Sequence, residues 1–160
     1  MKKNKKFIYL ISPKKILSSD FYKNLEKIFK NKQIAFFQLR LKKESKQKII
    51  KIAKKIKKLT KKYNVKFIIN DNPNLAIEVD ADGCHIGQKD FEIKKARKIL
   101  KNKILGVTCH NSLKLAKKAI NNKVDYIAFG SFYKSKTKKT KYKASLKILS
   151  FAKKLTNIPI

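Results

Sequence analysis

The sequence predicts a parallel α/β fold. Short apolar runs rich in branched and aromatic residues alternate with longer, Lys-studded amphipathic segments, and the alternation repeats six times. No hairpin turn signal separates neighbouring runs, so the strands are expected to be joined by crossover helices. The runs are continuously apolar, as they should be in a sheet covered on both faces. A length of 160 residues predicts one domain, residues 1–160, with little room for a second independent core.

Taken in order, residues 7–11, 34–39, 65–69, 83–86, 104–107 and 124–129 read as buried strands. Residues 21–29, 46–63, 91–100, 112–121 and 144–155 place apolar side chains at three-to-four spacing, as in Ile49, Ile52, Ala53, Ile56 and Leu59. These read as helices with one face on a core and Lys on the other. An open doubly wound sheet and a closed eight-stranded barrel both satisfy this pattern. The first strand is followed by Ser12-Pro13-Lys14-Lys15 rather than a Gly-rich dinucleotide fingerprint, so an open nucleotide-binding sheet gains no support.

Charge is the loudest feature, with 43 Lys+Arg against 10 Asp+Glu and a formal net charge of +33. Only two of the basic residues are Arg, and the positive charge is spread along the whole chain. A nucleic-acid surface concentrates it on one face or tail, so the charge reads as a solvated surface. With 42% hydrophobic residues the chain is not a disordered basic tail. Cys84 and Cys109 lack metal-ligand spacing and read as buried free thiols. The apolar run at residues 7–11 is too short for a signal-peptide core, and no stretch reaches the roughly 20 apolar residues of a membrane span. A cytoplasmic protein without a membrane partner is expected.

Reactive groups in parallel α/β folds gather where strands end. Here those ends are Gln38-Leu39-Arg40-Leu41-Lys42, Asn70-Asp71-Asn72, His85-Ile86-Gly87-Gln88-Lys89-Asp90, Thr108-Cys109-His110-Asn111 and the run from Gly130 to Lys138. Arg40 stands where Lys is the compositional default, and its planar fork suits phosphate or carboxylate. Six of the ten acids, Asp71, Glu78, Asp80, Asp82, Asp90 and Glu92, fall within one short window and read as an acidic pocket in a basic protein. Asp71 and Asp90 follow strand ends. They either offer hard oxygen ligands to Mg²⁺ or cap the helices that follow. Ser135, Thr137 and Lys138 lie in a loop of hydroxyls and ammonium groups suited to phosphate, or else in a merely Lys-rich loop. Arg40 and Lys42 add cations, and together these groups suit a diphosphate. His85 reads as a hydrogen-bonded core residue, while His110 is open between site and structure. No nucleophile with its base and orienter is visible, so positioning and electrostatics would carry any reaction.

In this order, the five strand-end motifs resemble those of the thiamine phosphate synthase family, over essentially the whole chain. The resemblance implies a (β/α)₈ TIM-type barrel, of which this chain covers about six βα units and the start of a seventh strand. It implies a transferase that joins hydroxymethylpyrimidine diphosphate to hydroxyethylthiazole phosphate, releasing pyrophosphate and giving thiamine phosphate. On the family pattern Asp71 and Asp90 are Mg²⁺ ligands, and Gln38, Arg40, Lys42 and Asn70 contact the pyrimidine diphosphate. Thr108 matches a pyrimidine-side position that usually holds Ser. Ser135, Thr137 and Lys138 match the loop that contacts pyrophosphate and thiazole phosphate. Arg40, Thr108 and Lys138 are the expected catalytic groups. Cys84 stands where the family usually carries an aliphatic residue.

A family member would continue past Ile160 to a Gly-Gly segment that holds the thiazole phosphate, so the sequence is expected to be either a fragment of a longer gene product or a shortened, inactive form. Reading the encoding DNA past Ile160 separates the two. The other functions considered are a thiazole tautomerase-like or inactive barrel paralogue and a basic nucleic-acid-binding protein. Retention of Arg40, Lys42, Asp71, Asp90 and Lys138 argues against the first, and the spread of charge against the second. The expected partners are small-molecule substrates, with a homo-oligomer left open.

Overall fold

The computed structural model describes residues 7–133 and 142–160. In chain order its elements are β1 (Ile8–Ile11), α1 (Asp20–Phe29), β2 (Ile34–Leu39), α2 (Lys46–Lys62), β3 (Lys66–Asn70), α3 (Pro73–Glu78), β4 (Gly83–Ile86), α4 (Ile93–Leu100), β5 (Ile104–His110), α5 (Leu113–Asn121), β6 (Tyr126–Phe129) and α6 (Lys147–Leu155). Strand and helix alternate throughout, as the apolar runs predict. No helix among the described residues is long and apolar enough to cross a membrane.

The chain forms two compact units, one of residues 1–70 and 74–83, the other of residues 71–73 and 84–160. In the first, β1, β2 and β3 lie side by side in chain order and pair in parallel, with Gln38 opposite Ile11 on one side and Ile68 on the other. Phe37, Phe67, Ile68 and Ile69 are at most 1% exposed. Each such side chain contributes about 1.5–3 kcal/mol when withdrawn from water. Helix α2 covers them with Ile52, Ala53 and Ile56, and the Ser45 side chain caps its start by accepting from the Lys48 N–H. Burial is not uniform. In β1, which among the described residues pairs with β2, Ile8 and Ile11 are exposed, so the expectation of a buried first strand is corrected at its two ends.

In the second unit the strand order is β4, β5, β6, with β5 and β6 parallel. Leu105, Val107 and Ile127 form its core with Ala96, Leu100, Ala116 and Ala119 from the helices. Strand β6 begins at Tyr126 rather than at residue 124, because Asp125 turns aside to bond Leu105. The Pro159 carbonyl accepts from the Ile127 N–H at 3.1 Å, as a strand beside β6 would. The short helix α3 was expected only as a helix for Asp71 to cap, without bounds. Six residues are too few for a periodic signal, and Pro73 at its first position was the one available hint.

Candidate active site

In the first unit, strand β2 ends in Gln38 and Leu39 and runs on to Arg40 and Lys42. Gln38 is 3% exposed and donates its amide to the Tyr9 hydroxyl at 3.1 Å, so it is held rather than mobile. Arg40 is half-buried, and its N–H is fixed by the Ser12 hydroxyl at 2.9 Å. Lys42 is exposed, and Asn70 is half-buried at the end of β3.

The second unit contains Asp71, Asp90 and Thr108 of the other expected groups. Asp71 occupies the left-handed region at φ 65°, which Asp tolerates better than most residues, and its N–H donates to the His85 carbonyl at 2.7 Å. The Asp90 carboxylate accepts from the Gly87 N–H at 3.0 Å. A methyl group at Gly87 would collide with that carboxylate, so the glycine is required by close approach. The cap position of α4 is held by Glu92 rather than Asp90, and α3 begins at Pro73, two residues after Asp71.

Cys84 lies buried on β4. Burial pushes its thiol far above the usual range, and the charges of Asp71 and, more weakly, Asp90 push it further. Both acids therefore act on one small region. The Cys109 thiol is pushed up to about 12 by burial alone, and both thiols are free and buried, as expected. Among the described residues no three or more His, Cys, Asp or Glu gather into a metal cage. Two carboxylates without soft ligands fit Mg²⁺, which keeps waters and takes phosphate oxygens, better than a closed transition-metal site.

Beside this region His85 is hydrogen-bonded at both ring nitrogens, with Nδ1 2.9 Å from the Tyr126 hydroxyl and Nε2 2.8 Å from the Thr108 hydroxyl. The rings of His85 and Tyr126 are stacked. Tyr126 pairs across the ladder with Gly106, where any side chain would collide with the tyrosine ring. Gln88 donates to the Thr108 carbonyl at 2.6 Å, so both the backbone and the side chain of Thr108 are held. His85 thus matches its reading as a hydrogen-bonded residue, though it is half-buried rather than core. Tyr126 and Gln88 were missed, and a glycine directly opposite an aromatic in adjacent parallel runs was the signal that could have found the tyrosine.

The acidic window does not form one pocket. Glu78 pairs with Lys46, Asp80 and Asp82 with Lys57, and Glu92 with Lys95. Proximity in sequence overstated proximity in space, because four of the six acids lie at helix ends and turns rather than with Asp71 and Asp90. Ser135, Thr137 and Lys138 lie outside the described residues. A groove of about 490 Å³ between α5 and α6 is lined by Leu113, Phe151 and Leu155 with three lysines, and it holds none of the strand-end residues.

Comparison with known proteins gives concordant results. The sequence profile described as thiamine monophosphate synthase matches residues 8–160. The chain is 60% identical to the thiamine-phosphate synthase of Pelagibacter ubique, over 98% of this chain and 76% of that protein. It is 42% identical to the thiamine-phosphate synthase of Nitrosomonas eutropha, over 79% of this chain and 60% of that protein. Among solved structures, a thiamine phosphate pyrophosphorylase from Pyrococcus furiosus superposes with a TM-score of 0.82 at 26% identity, covering 98% of this chain and 73% of that one.

Proposed function

The chain belongs to the thiamine monophosphate synthase family, and from that premise we propose that it is a Mg²⁺-dependent transferase that moves the hydroxymethylpyrimidine group from its diphosphate to hydroxyethylthiazole phosphate, forming thiamine phosphate and pyrophosphate. The observation that carries the proposal is the placement of both acids at the end of β4, where the Asp71 N–H donates to the His85 carbonyl and the Asp90 carboxylate accepts from the Gly87 N–H. The same reading takes residues 1–160 as one partial (β/α)₈ barrel domain of about six βα units and the start of a seventh strand, working in the cytoplasm on soluble phosphate esters. The structural match over nearly the whole chain supports it.

The reaction breaks the bond between the pyrimidine methylene and the diphosphate oxygen, whose electron pair leaves with the diphosphate. The thiazole nitrogen then supplies the pair for the new carbon–nitrogen bond. Held by Asp71 and Asp90, Mg²⁺ would supply positive charge to the departing diphosphate. The chain's own cations serve the same end. Arg40 offers a fork for phosphate oxygens and Lys42 a point charge, with Lys138, Ser135 and Thr137 as further anion contacts. Gln38 and Asn70 would orient the pyrimidine diphosphate. Thr108 would face the pyrimidine, and the hydrogen on His85 Nε2 in one neutral tautomer leaves the Thr108 hydroxyl proton free for a ligand acceptor.

The test is formation of thiamine phosphate from the two substrates with Mg²⁺. Asp71→Asn tolerates the left-handed backbone but removes the charge, and it should lower turnover by about 10²–10³-fold or more. Asp71→Ala should abolish it. Full activity in either variant removes the metal-ligand assignment, and failure of the unaltered chain to bind the pyrimidine diphosphate removes the proposed function.

A further inference from the structure

We propose that Tyr126 and His85 are positioning residues, joined in a one-way hydrogen-bond relay that makes the Thr108 hydroxyl a donor toward a bound ligand. The inference deepens the function proposed above and rests on it for the contact between Thr108 and the pyrimidine.

The three side chains come from neighbouring strands of the second unit, His85 from β4, Thr108 from β5 and Tyr126 from β6. His85 stands between the other two, with Nδ1 2.9 Å from the Tyr126 hydroxyl and Nε2 2.8 Å from the Thr108 hydroxyl. A neutral imidazole carries one hydrogen, so one ring nitrogen donates and the other accepts. Two arrangements satisfy both contacts, and they give Thr108 opposite roles. With the hydrogen on Nε2, His85 donates to Thr108, and the threonine hydrogen is left for an acceptor on the ligand. With the hydrogen on Nδ1, Thr108 gives its own hydrogen to His85 and offers the ligand only lone pairs.

Tyr126 decides between them. A phenol O–H is more acidic than an aliphatic hydroxyl and donates to a neutral imidazole more readily than it accepts. The partner of one ring nitrogen sets the state of the other. An accepting Nδ1 therefore keeps the hydrogen on Nε2, and hydrogen bonds running in one direction polarise one another. The place of the phenol is built into the backbone. Tyr126 pairs with Gly106 across the β5–β6 ladder, and any side chain at that glycine would collide with the ring. Gly106 and Thr108 are two residues apart on one strand and share a face, which puts the ring beside the threonine. The ring also stacks on the imidazole, at a centroid distance of 5.5 Å and an interplanar angle of 26°. Thr108 is held by its backbone as well, its carbonyl accepting from the Gln88 amide at 2.6 Å. The hydroxyl thus has a fixed place and a fixed sense of donation, which selects an acceptor such as a pyrimidine ring nitrogen.

The experiment reads the full chain by nitrogen NMR of its imidazoles and by calorimetric titration with hydroxymethylpyrimidine diphosphate and Mg²⁺. The chain has two histidines, and the signals that vanish in His110→Gln belong to the one that stacks on Tyr142. At a pH above the ordinary histidine range, His85 should carry its hydrogen on Nε2. In Tyr126→Phe the Nδ1 resonance should shift as it does when a ring nitrogen loses its donor, and the ligand should bind about 2–10-fold more weakly, the scale of one neutral hydrogen bond. Thr108→Val keeps the shape and removes the hydroxyl; it should weaken binding at least as much, and adding Tyr126→Phe to it should weaken binding no further. Thr108→Ser keeps the relay and should bind as the original does. A hydrogen on Nδ1, an Nδ1 resonance unmoved in Tyr126→Phe, unchanged affinity in that variant, or additive losses in the double variant would each overturn the proposal. If the unaltered chain does not bind the pyrimidine diphosphate, the proposed function fails and the ligand role of Thr108 with it. The ring-nitrogen signals still decide the direction of the relay, so the two failures are told apart.

Discussion

In the first unit, Asp82 donates its N–H to the Phe67 carbonyl at 2.8 Å and accepts the Phe67 N–H on its carboxylate at 2.8 Å, with Lys57 of α2 3.4 Å away. In the second unit Asp125 does the same to Leu105, with both distances again 2.8 Å, and the cation comes from α4 as Arg97 at 2.5 Å. Each aspartate stands just before a strand and clasps the start of the previous one. The two clamps differ in the cation. Lys57 is a point charge divided between Asp82 and Asp80. Arg97 splits its fork, giving one nitrogen to Asp125 and the other to the carbonyls of Lys101 at 2.6 Å and Lys103 at 2.8 Å. The second clamp therefore also fastens the end of α4, which the first has no means of doing for α2. This accounts for an arginine in a chain whose default cation is lysine.

Removing the aspartates should break the comparison most strongly. Phe67 and Leu105 are fully buried, so loss of the carboxylate leaves a buried N–H without its partner, at a cost of about 1–3 kcal/mol. In Asp125→Ala, Arg97 is also stripped of its counter-ion, and unfolding in urea should show a loss near the upper end of that range. Asp82→Ala should lose about 1 kcal/mol less, because Lys57 keeps Asp80. Equal losses would mean that the backbone hydrogen bond alone matters and that the choice of cation is incidental. Asp125→Asn, which keeps an acceptor and drops the charge, separates the two contributions.

The same contrast shows what the amino-acid order could and could not reveal. Ile34–Leu39 and Gly83–Ile86 were legible to the residue, because each is a mostly apolar run, interrupted once by Gln38 or His85, with polar residues on both sides. Arg40 and Asp71 directly follow the ends of β2 and β3 as the runs predict, whereas β5 continues past the expected residue 107 to His110 and so takes Thr108 inside the strand. The partners were not legible. Asp82 and Asp90 look alike in sequence, yet one clasps a neighbouring strand and the other faces Gly87, and only the pairing of distant strands distinguishes them. The His85–Tyr126 and His110–Tyr142 contacts were hidden in the same way. Each joins residues far apart in the chain, and no periodicity records which segments become neighbours.

Exchanging the cations should give the smallest effect and the sharpest test. Arg97→Lys keeps the charge but cannot reach Asp125 and two carbonyls at once. With the Arg97 side chain only 21% exposed, the lost hydrogen bonds should cost about 1–2 kcal/mol. Lys57→Arg adds donors where no carbonyl is engaged by the present side chain, so its stability should stay within about 0.5 kcal/mol of the original. Salt offers an independent check. The Lys57 clamp joins its cation only to carboxylates, at 3.4 Å from Asp82 and 3.9 Å from Asp80, and should weaken as ionic strength rises, whereas the carbonyl bonds of Arg97 to neutral acceptors should persist. If Arg97→Lys is as harmless as Lys57→Arg, and both respond to salt alike, then the arginine fork contributes nothing that a lysine would not, and the two clamps are one device.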